Sequence, residues 1–241
     1  MAKFYIGKKS VIEAIKKNSI LEIHYKNFFP EITIAKKKNI KLIKHSDDNF
    51  FNQFNANHQY VIGISSDEKS NIFESFEEFS RHLNLSDNTN KLIVMLDSIQ
   101  DPGNFGAICR TCESFSVDGI IIKKNHQVDV NEVVVKTSLG SANNIPILKI
   151  ANLSMCLEKL KKIGFWVAAT SLDSKAVNIN TIKMDFNKLC LIMGNENNGI
   201  SHLLLKNSDL LVKIPMTGNI QSLNVSVSTG IFLFWIRFNN K

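Results

Sequence analysis

The sequence predicts an α/β protein of two domains, a small α/β domain followed by a larger one built on a mostly parallel sheet. Three observations carry this. Five short, fully apolar runs in the second part (Leu92 to Leu96, Ile120 to Ile122, Phe165 to Ala169, Leu189 to Met193 and Leu210 to Ile214) alternate with helical stretches. Such runs are strands buried on both faces, as in a parallel sheet covered by helices. Residues 67 to 89 are acidic and polar, which marks a domain boundary. Basic charge is concentrated at one end: residues 1 to 45 hold eleven Lys and three Glu, a net +8 in a chain whose total is +7, so the remainder nets −1.

Taken in order, Ser10 to Glu13 reads as a capping box that opens a helix through Lys17, with Val11, Ile12, Ala14 and Ile15 as its apolar face. Alternation in Leu21, Ile23 and Tyr25 predicts a strand. A lysine-rich helix ending near Lys38, a strand Ile40 to Lys44, a short helix after Ser46 and a strand Gln59 to Ile64 complete the first domain, residues 1–66. Residues 67–89 read as a linker carrying one amphipathic helix, with Phe73, Phe76, Phe79 and Leu83 at helical spacing. The second domain, residues 90–241, places helices at Ala107 to Val117, Asn152 to Ile163 and Leu203 to Asn207 between its strands. Its last helix, Val225 to Phe238, is apolar on nearly every side, so other segments or a second subunit should bury it.

A chain of 241 residues, 44% hydrophobic, is long enough to bury a substantial core. It contains no run of eighteen apolar residues, and MAKFYIGKKS has no apolar signal-peptide core, so a cytoplasmic protein without a membrane partner is expected. Of four cysteines only Cys109 and Cys112 form a C-x-x-C, which leaves no second pair for a zinc site; no metal is expected. The two thiols are either small core residues or a redox pair. The basic end suggests a polyanion partner, and aromatics among its lysines (Phe4, Tyr5, Tyr25, Phe28, Phe29) favour RNA over a membrane surface. Lys8, Lys9, Lys16 and Lys17 are the candidate RNA contacts.

Three strand-to-helix junctions carry the candidate chemistry, since ligands of open α/β sheets bind beyond the carboxyl ends of the strands. In LDSIQDPGNFGAICRTCESF, Pro102-Gly103-Asn104 reads as a turn before a helix starting near Gly106, with Asn104 and Arg110 able to converge on one ligand phosphate or hydroxyl. Only three of the 29 basic residues are Arg, so an Arg at this junction points to a need for its planar fork. In LIMGNENNGIS the Gly194 to Gly199 spacing imitates a phosphate loop, but Ile200 stands where that loop needs Lys; what remains is a tight turn presenting Glu196 beside backbone amides. In IPMTGNIQSLNVSVSTG, Pro215 and Gly218 force a turn, Ser222 sits where a helix N-cap belongs, and Ser222 and Asn224 join free N–H groups at the helix start.

N-x-G-A-I-x-R-T at Asn104 to Thr111, G-N-E-x-x-G at Gly194 to Gly199 and I-P-M-x-G-x-x-x-S-L-N-V-S at Ile214 to Ser226 resemble the three motifs of the SpoU (TrmH) family. Its members are S-adenosylmethionine-dependent RNA ribose 2′-O-methyltransferases of the SPOUT superfamily. The likeness spans residues 90 to 241 in the correct order, and residues 3 to 66 are similar in pattern to the ribosomal-protein-like substrate-binding domain of the subgroup that methylates a guanosine of 23S ribosomal RNA. Lys8-Lys9 stand where that subgroup often carries a His.

The resemblance implies a carboxyl-terminal trefoil knot, against the usual rule that chains do not thread loops, and a homodimer. It implies S-adenosylmethionine held by Thr170, Gly194, Ile214, Met216 and Leu223, largely through backbone groups. It also implies Arg110 at the reacting hydroxyl, with Asn104, Glu196, Ser222 and Asn224 holding Arg110 and the ribose. Alternative readings are a transfer-RNA ribose methyltransferase of the same family, a non-catalytic RNA-binding protein that keeps the fold, and a redox protein using Cys109 and Cys112.

Overall fold

A computed structural model of the chain describes residues 3–16, 19–65, 71–87, 89–182, 186–195, 198–219 and 222–238. It divides into two compact units, residues 1–70 and 71–241.

The first unit runs β1 (Lys3–Ile6), α1 (Lys8–Lys16), β2 (Glu22–Tyr25), α2 (Ile32–Lys37), β3 (Lys41–Lys44) and β4 (Val61–Ser65), with a 3-10 turn at Phe51–Gln53 where a short helix was expected. The sheet order is β1-β4-β2-β3, antiparallel except for the β2–β3 pair. Strand alternation sends Tyr5, Ile23 and Val61 into one core with Val11 and Ile15 of α1 and Ile32 of α2. On the other face Phe50 stacks on His24, ring centroids 4.0 Å apart. The helix α1 starts earlier than the capping box predicts. Gly7, at φ +87°, turns the chain out of β1, and its carbonyl accepts the Val11 N–H at 3.1 Å. Ser10 is therefore inside the helix, not its cap, and the left-handed backbone at residue 7 suits glycine. Lys17, the expected end of this helix, lies outside the described residues.

The second unit runs β5 (Ile72–Phe73), α3 (Phe76–His82), β6 (Lys91–Asp97), α4 (Pro102–Ser114), β7 (Gly119–Lys123), α5 (Glu132–Thr137), β8 (Ile147–Ile150), α6 (Leu153–Lys162), β9 (Trp166–Thr170), β10 (Val177–Asn178), β11 (Lys188–Gly194), α7 (His202–Asn207), β12 (Leu210–Lys213) and α8 (Val225–Phe238). Its strands form one eight-stranded sheet, β10-β12-β9-β11-β6-β7-β8-β5, in which every described pairing is parallel. Both faces are covered. Along β6, Leu92, Val94 and Leu96 enter the core shared with α4 and α8, while Ile93 and Met95 enter the core shared with α3 and α6.

Three expectations are corrected here. Residues 71–89 are not linker: β5 pairs with β8, and Phe76 and Phe79 of α3 are buried in the second core, so the unit begins near residue 71 rather than 90. The expected turn at Pro102 is already helix. Asp101 caps α4, its Oδ1 accepting the Asn104 N–H at 2.6 Å, and Pro102 stands at the first helical position, where no N–H is needed. Ser222 is not the cap of α8; Asn224 is, its Oδ1 accepting the Ser226 N–H at 2.9 Å.

Candidate active site

Because β9, β12 and β11 run parallel, their carboxyl ends at Thr170, Lys213 and Gly194 open on the same side of the sheet. The segments beyond them, together with the start of α8, line an open cavity of about 420 Å³. One wall is the loop after β11. Asn195 and Gly199 exchange backbone hydrogen bonds (Asn195 N to Gly199 O 3.1 Å, Gly199 N to Asn195 O 2.8 Å), with Gly199 at φ +65°. Gly194 lies so close under this loop that a Cβ there would come within 2.6 Å of the Gly199 carbonyl oxygen and of Ile200 N. The wall is therefore backbone, held at a separation that only glycine permits.

Thr170, Gly194, Ile214, Met216 and Leu223 all line this cavity, as does Ser222. Two of the remaining candidates fall beside it. Asn104 and Asn224, 120 residues apart in sequence, are joined by an Asn224 Nδ2 to Asn104 Oδ1 hydrogen bond of 2.9 Å, which docks the first turn of α4 on the cap of α8. Arg110 is exposed on α4 and does not line the cavity of its own chain. Since α4 already starts at Pro102, Asn104 and Arg110 lie on one helix, roughly 9 Å apart along its axis and about 120° apart around it. They do not converge as a loop residue and a helix residue would. Glu196 lies outside the described residues.

Sequence reasoning missed the contribution of the helices to the cavity. Ser228 and Phe232 of α8 and Leu205 of α7 line it, together with Asn195 and Asn198 of the loop. Ser228 and Phe232 are four apart and so share one face of α8, a signal present in the sequence once the register is known. The cofactor-sized space is thus lined by apolar side chains and backbone together with hydroxyl and amide groups, as is usual for small-molecule sites.

None of the four cysteines lines this cavity. Cys109 and Cys112 are buried in α4, and burial pushes both thiols well above their ordinary range; burial likewise raises Cys156 to about 12. A thiol so desolvated is not a nucleophile at neutral pH, which removes the redox reading. Among the described residues no group of three or more His, Cys, Asp or Glu side chains is placed to hold a metal ion, and no described helix is long and apolar enough to cross a membrane.

The sequence model of the SpoU rRNA Methylase family matches residues 91–234, more than half of the chain. The chain belongs to this family. This SpoU methylase is 44% identical over 89% of its length to an uncharacterized tRNA/rRNA methyltransferase of Mycoplasma genitalium, covering 86% of that protein. Among solved structures, the AdoMet-bound rRNA methyltransferase of Sinorhizobium meliloti matches 99% of the SpoU methylase, with 87% of that chain covered, a TM-score of 0.75 and 26% identity. The TrmH/SpoU tRNA modifying enzyme of A. aeolicus matches 67% of it, with 81% of that chain covered, a TM-score of 0.56 and 31% identity. The protein is accordingly an RNA methyltransferase of the SPOUT superfamily, and the parallel sheet with helices on both faces is its family's architecture.

Proposed function

We propose that this SpoU methylase transfers the methyl group of S-adenosylmethionine to a ribose 2′-OH of RNA, in the first place a guanosine of 23S ribosomal RNA and in the second a transfer-RNA ribose. The observation that carries the reading is that Thr170, Gly194, Ile214, Met216 and Leu223, from three separate segments, come together around one cavity. Its volume of about 420 Å³ and its backbone lining fit a nucleoside bearing an amino-acid tail. The bound cofactor would supply an electrophilic methyl group on a sulfonium centre. The residues of this chain have to exclude water from it, hold the ribose in line and stabilise the developing alkoxide. In this reading Ser222, which lines the cavity, and the hydrogen-bonded Asn104–Asn224 pair orient the ribose, and Arg110 offers the charge. An Arg stays protonated, so it orients and stabilises rather than removing the proton, which leaves to phosphate or water. The test is transfer of labelled methyl from S-adenosylmethionine to total RNA, with the modified ribose mapped. Label in a base, or none with ribosomal and transfer RNA alike, rejects the reading.

The first unit is proposed as the RNA-binding domain. Lys8 and Lys9 open α1, where the positive end of the helix dipole disfavours cations by about 0.3–1 kcal/mol each. A bound phosphate would relieve that repulsion. Lys9 and Lys16 are exposed and seven residues apart, on one face of α1; Lys17 belongs to the same proposal. Reversing Lys8, Lys9 and Lys16 to Glu should weaken RNA binding and flatten the plot of log affinity against log salt by roughly one unit for each phosphate that is no longer neutralised. An unchanged slope would take this unit out of recognition.

A homodimer is proposed from α8. Its inner face, Val225, Phe232, Leu233 and Ile236, is buried, but Val227, Ile231, Phe234 and Phe238 form an exposed apolar stripe along the outside. A continuous stripe of this kind marks an interface. Phe234→Asp should convert a dimer to a monomer in sedimentation; a wild-type protein that sediments as a monomer at micromolar concentration removes the dimer. A carboxyl-terminal knot and a cytoplasmic location complete the proposal.

A further inference from the structure

We infer that Asp97, with Lys123, is a positioning residue that fixes the wall of the cofactor cavity by clamping the loop after β11 to the turn after β6. This rests on the cavity being the cofactor site. Asp97 ends β6, and its side chain is 3% exposed. One carboxylate oxygen, Oδ1, meets the Lys123 ammonium at 2.6 Å and accepts the Ser98 hydroxyl at 3.0 Å. The other, Oδ2, accepts the backbone N–H of Ser201 at 2.8 Å, 104 residues away. Ser201 directly follows Gly199 and Ile200, which line the cavity. At the other end of the same loop, the Asn195 amide donates to the Ser98 carbonyl at 2.9 Å.

The loop is thus held at both ends by two consecutive residues of one turn. Ser98 itself adopts φ +67°, a left-handed conformation that a non-glycine residue keeps only when its surroundings hold it there. Lys123, at the end of β7, also donates to the Ser98 hydroxyl at 3.2 Å. Burial alone would raise the Asp97 carboxyl, but the Lys123 ammonium and Ser201 outweigh it and hold its pKa below the ordinary carboxylate value, so the clamp is charged at neutral pH. A buried carboxylate is costly to desolvate and needs partners held in place to offset that cost. Here one of those partners, Ser201, follows one end of the cavity wall, the neighbouring Ser98 carbonyl holds Asn195 at the other, and the same turn leads directly into α4, which carries Asn104 and Arg110.

Two variants test this. Asp97→Asn offers one acceptor oxygen where two are needed, so either the Lys123 side or the Ser201 N–H loses its partner. Ser201→Pro removes both groups of Ser201 that bond Asp97, its N–H and its hydroxyl; Ser201 sits at φ −57°, which proline adopts, and the Asp97–Lys123 pair is left intact. Calorimetry with S-adenosylmethionine alone should show its Kd raised about tenfold in both variants, and the KM for S-adenosylmethionine should rise in step while the KM for RNA does not. Hydrogen exchange, without any ligand, should show the 198–201 amides of Asp97→Asn exchanging at least about tenfold faster than wild type. A merely structural role would lower the melting temperature and the active fraction but leave both KM values in place. Should Asp97→Asn fail to fold, Ser201→Pro carries the test. Folded variants whose Kd stays within threefold of wild type overturn the clamp while leaving the cofactor site standing. A wild-type protein that does not bind S-adenosylmethionine overturns both.

Discussion

Arg110→Ala is expected to lower the methyl-transfer rate about 10²–10³-fold, the usual consequence of removing one charge-stabilising donor if Arg110 acts at the reacting hydroxyl as proposed, while S-adenosylmethionine affinity and melting temperature should stay at wild-type values. The structure separates those effects. Arg110 is exposed on α4, no hydrogen bond or ion pair joins its guanidinium to another described residue, and it does not line the cavity. Its removal therefore leaves packing intact, within the roughly 0.5 kcal/mol typical of such surface changes. Arg110→Lys restores charge without the planar fork and should recover only part of the rate. The measurement is labelled-methyl transfer at saturating RNA and cofactor. Wild-type turnover in Arg110→Ala would exclude this residue from the chemistry and leave the arginine without a function at that junction.

The second large effect is expected at Gly194→Ala. The added methyl group would lie 2.6 Å from the Gly199 carbonyl oxygen and from Ile200 N, atoms of the backbone that cannot rotate away. The loop has to move outward, breaking the paired hydrogen bonds between Asn195 and Gly199 that shape the cavity wall. Overpacking of this kind costs about 1–3 kcal/mol. Displaced by that amount, the wall should weaken S-adenosylmethionine binding by about tenfold or more, read by calorimetry, with RNA binding retained. An unchanged cofactor Kd would mean that the 194–199 turn is not part of the cofactor site.

The sheet was legible because β6, β7, β9, β11 and β12 are short apolar runs buried on both faces, where the hydrophobic signal is strongest. β5 and β10 were not, since two residues show no periodicity, and β8 was obscured by Pro146 and Lys149 on either side of its apolar pair. The helix α5 was missed because Glu-Val-Val-Val-Lys-Thr is β-branched and reads as strand. Its packing overrides that propensity: Gly106 of α4 presents no side chain, and a Cβ there would come within 2.7 Å of Thr137. At the junctions, Asp-Pro-Gly and Ser-Leu-Asn each permit two local readings. Asp101 and Asn224 were decided by which oxygen reaches which N–H, a matter of geometry rather than residue type.

By itself the sequence determined the layering of the second unit, the concentration of positive charge in the first, and the three motifs with their family, because periodicity, charge count and ordered motif spacing are properties of the chain. Only the tertiary structure decided that Thr170, Gly194 and Leu223 share one cavity, that Asn104 meets Asn224, that Arg110 stands outside that cavity, and that buried Asp97 spans two loops. These are contacts between residues tens to more than a hundred positions apart. Their distances are set by how parallel strands stack their carboxyl ends, and no local pattern records the strand order that brings β11 between β9 and β6.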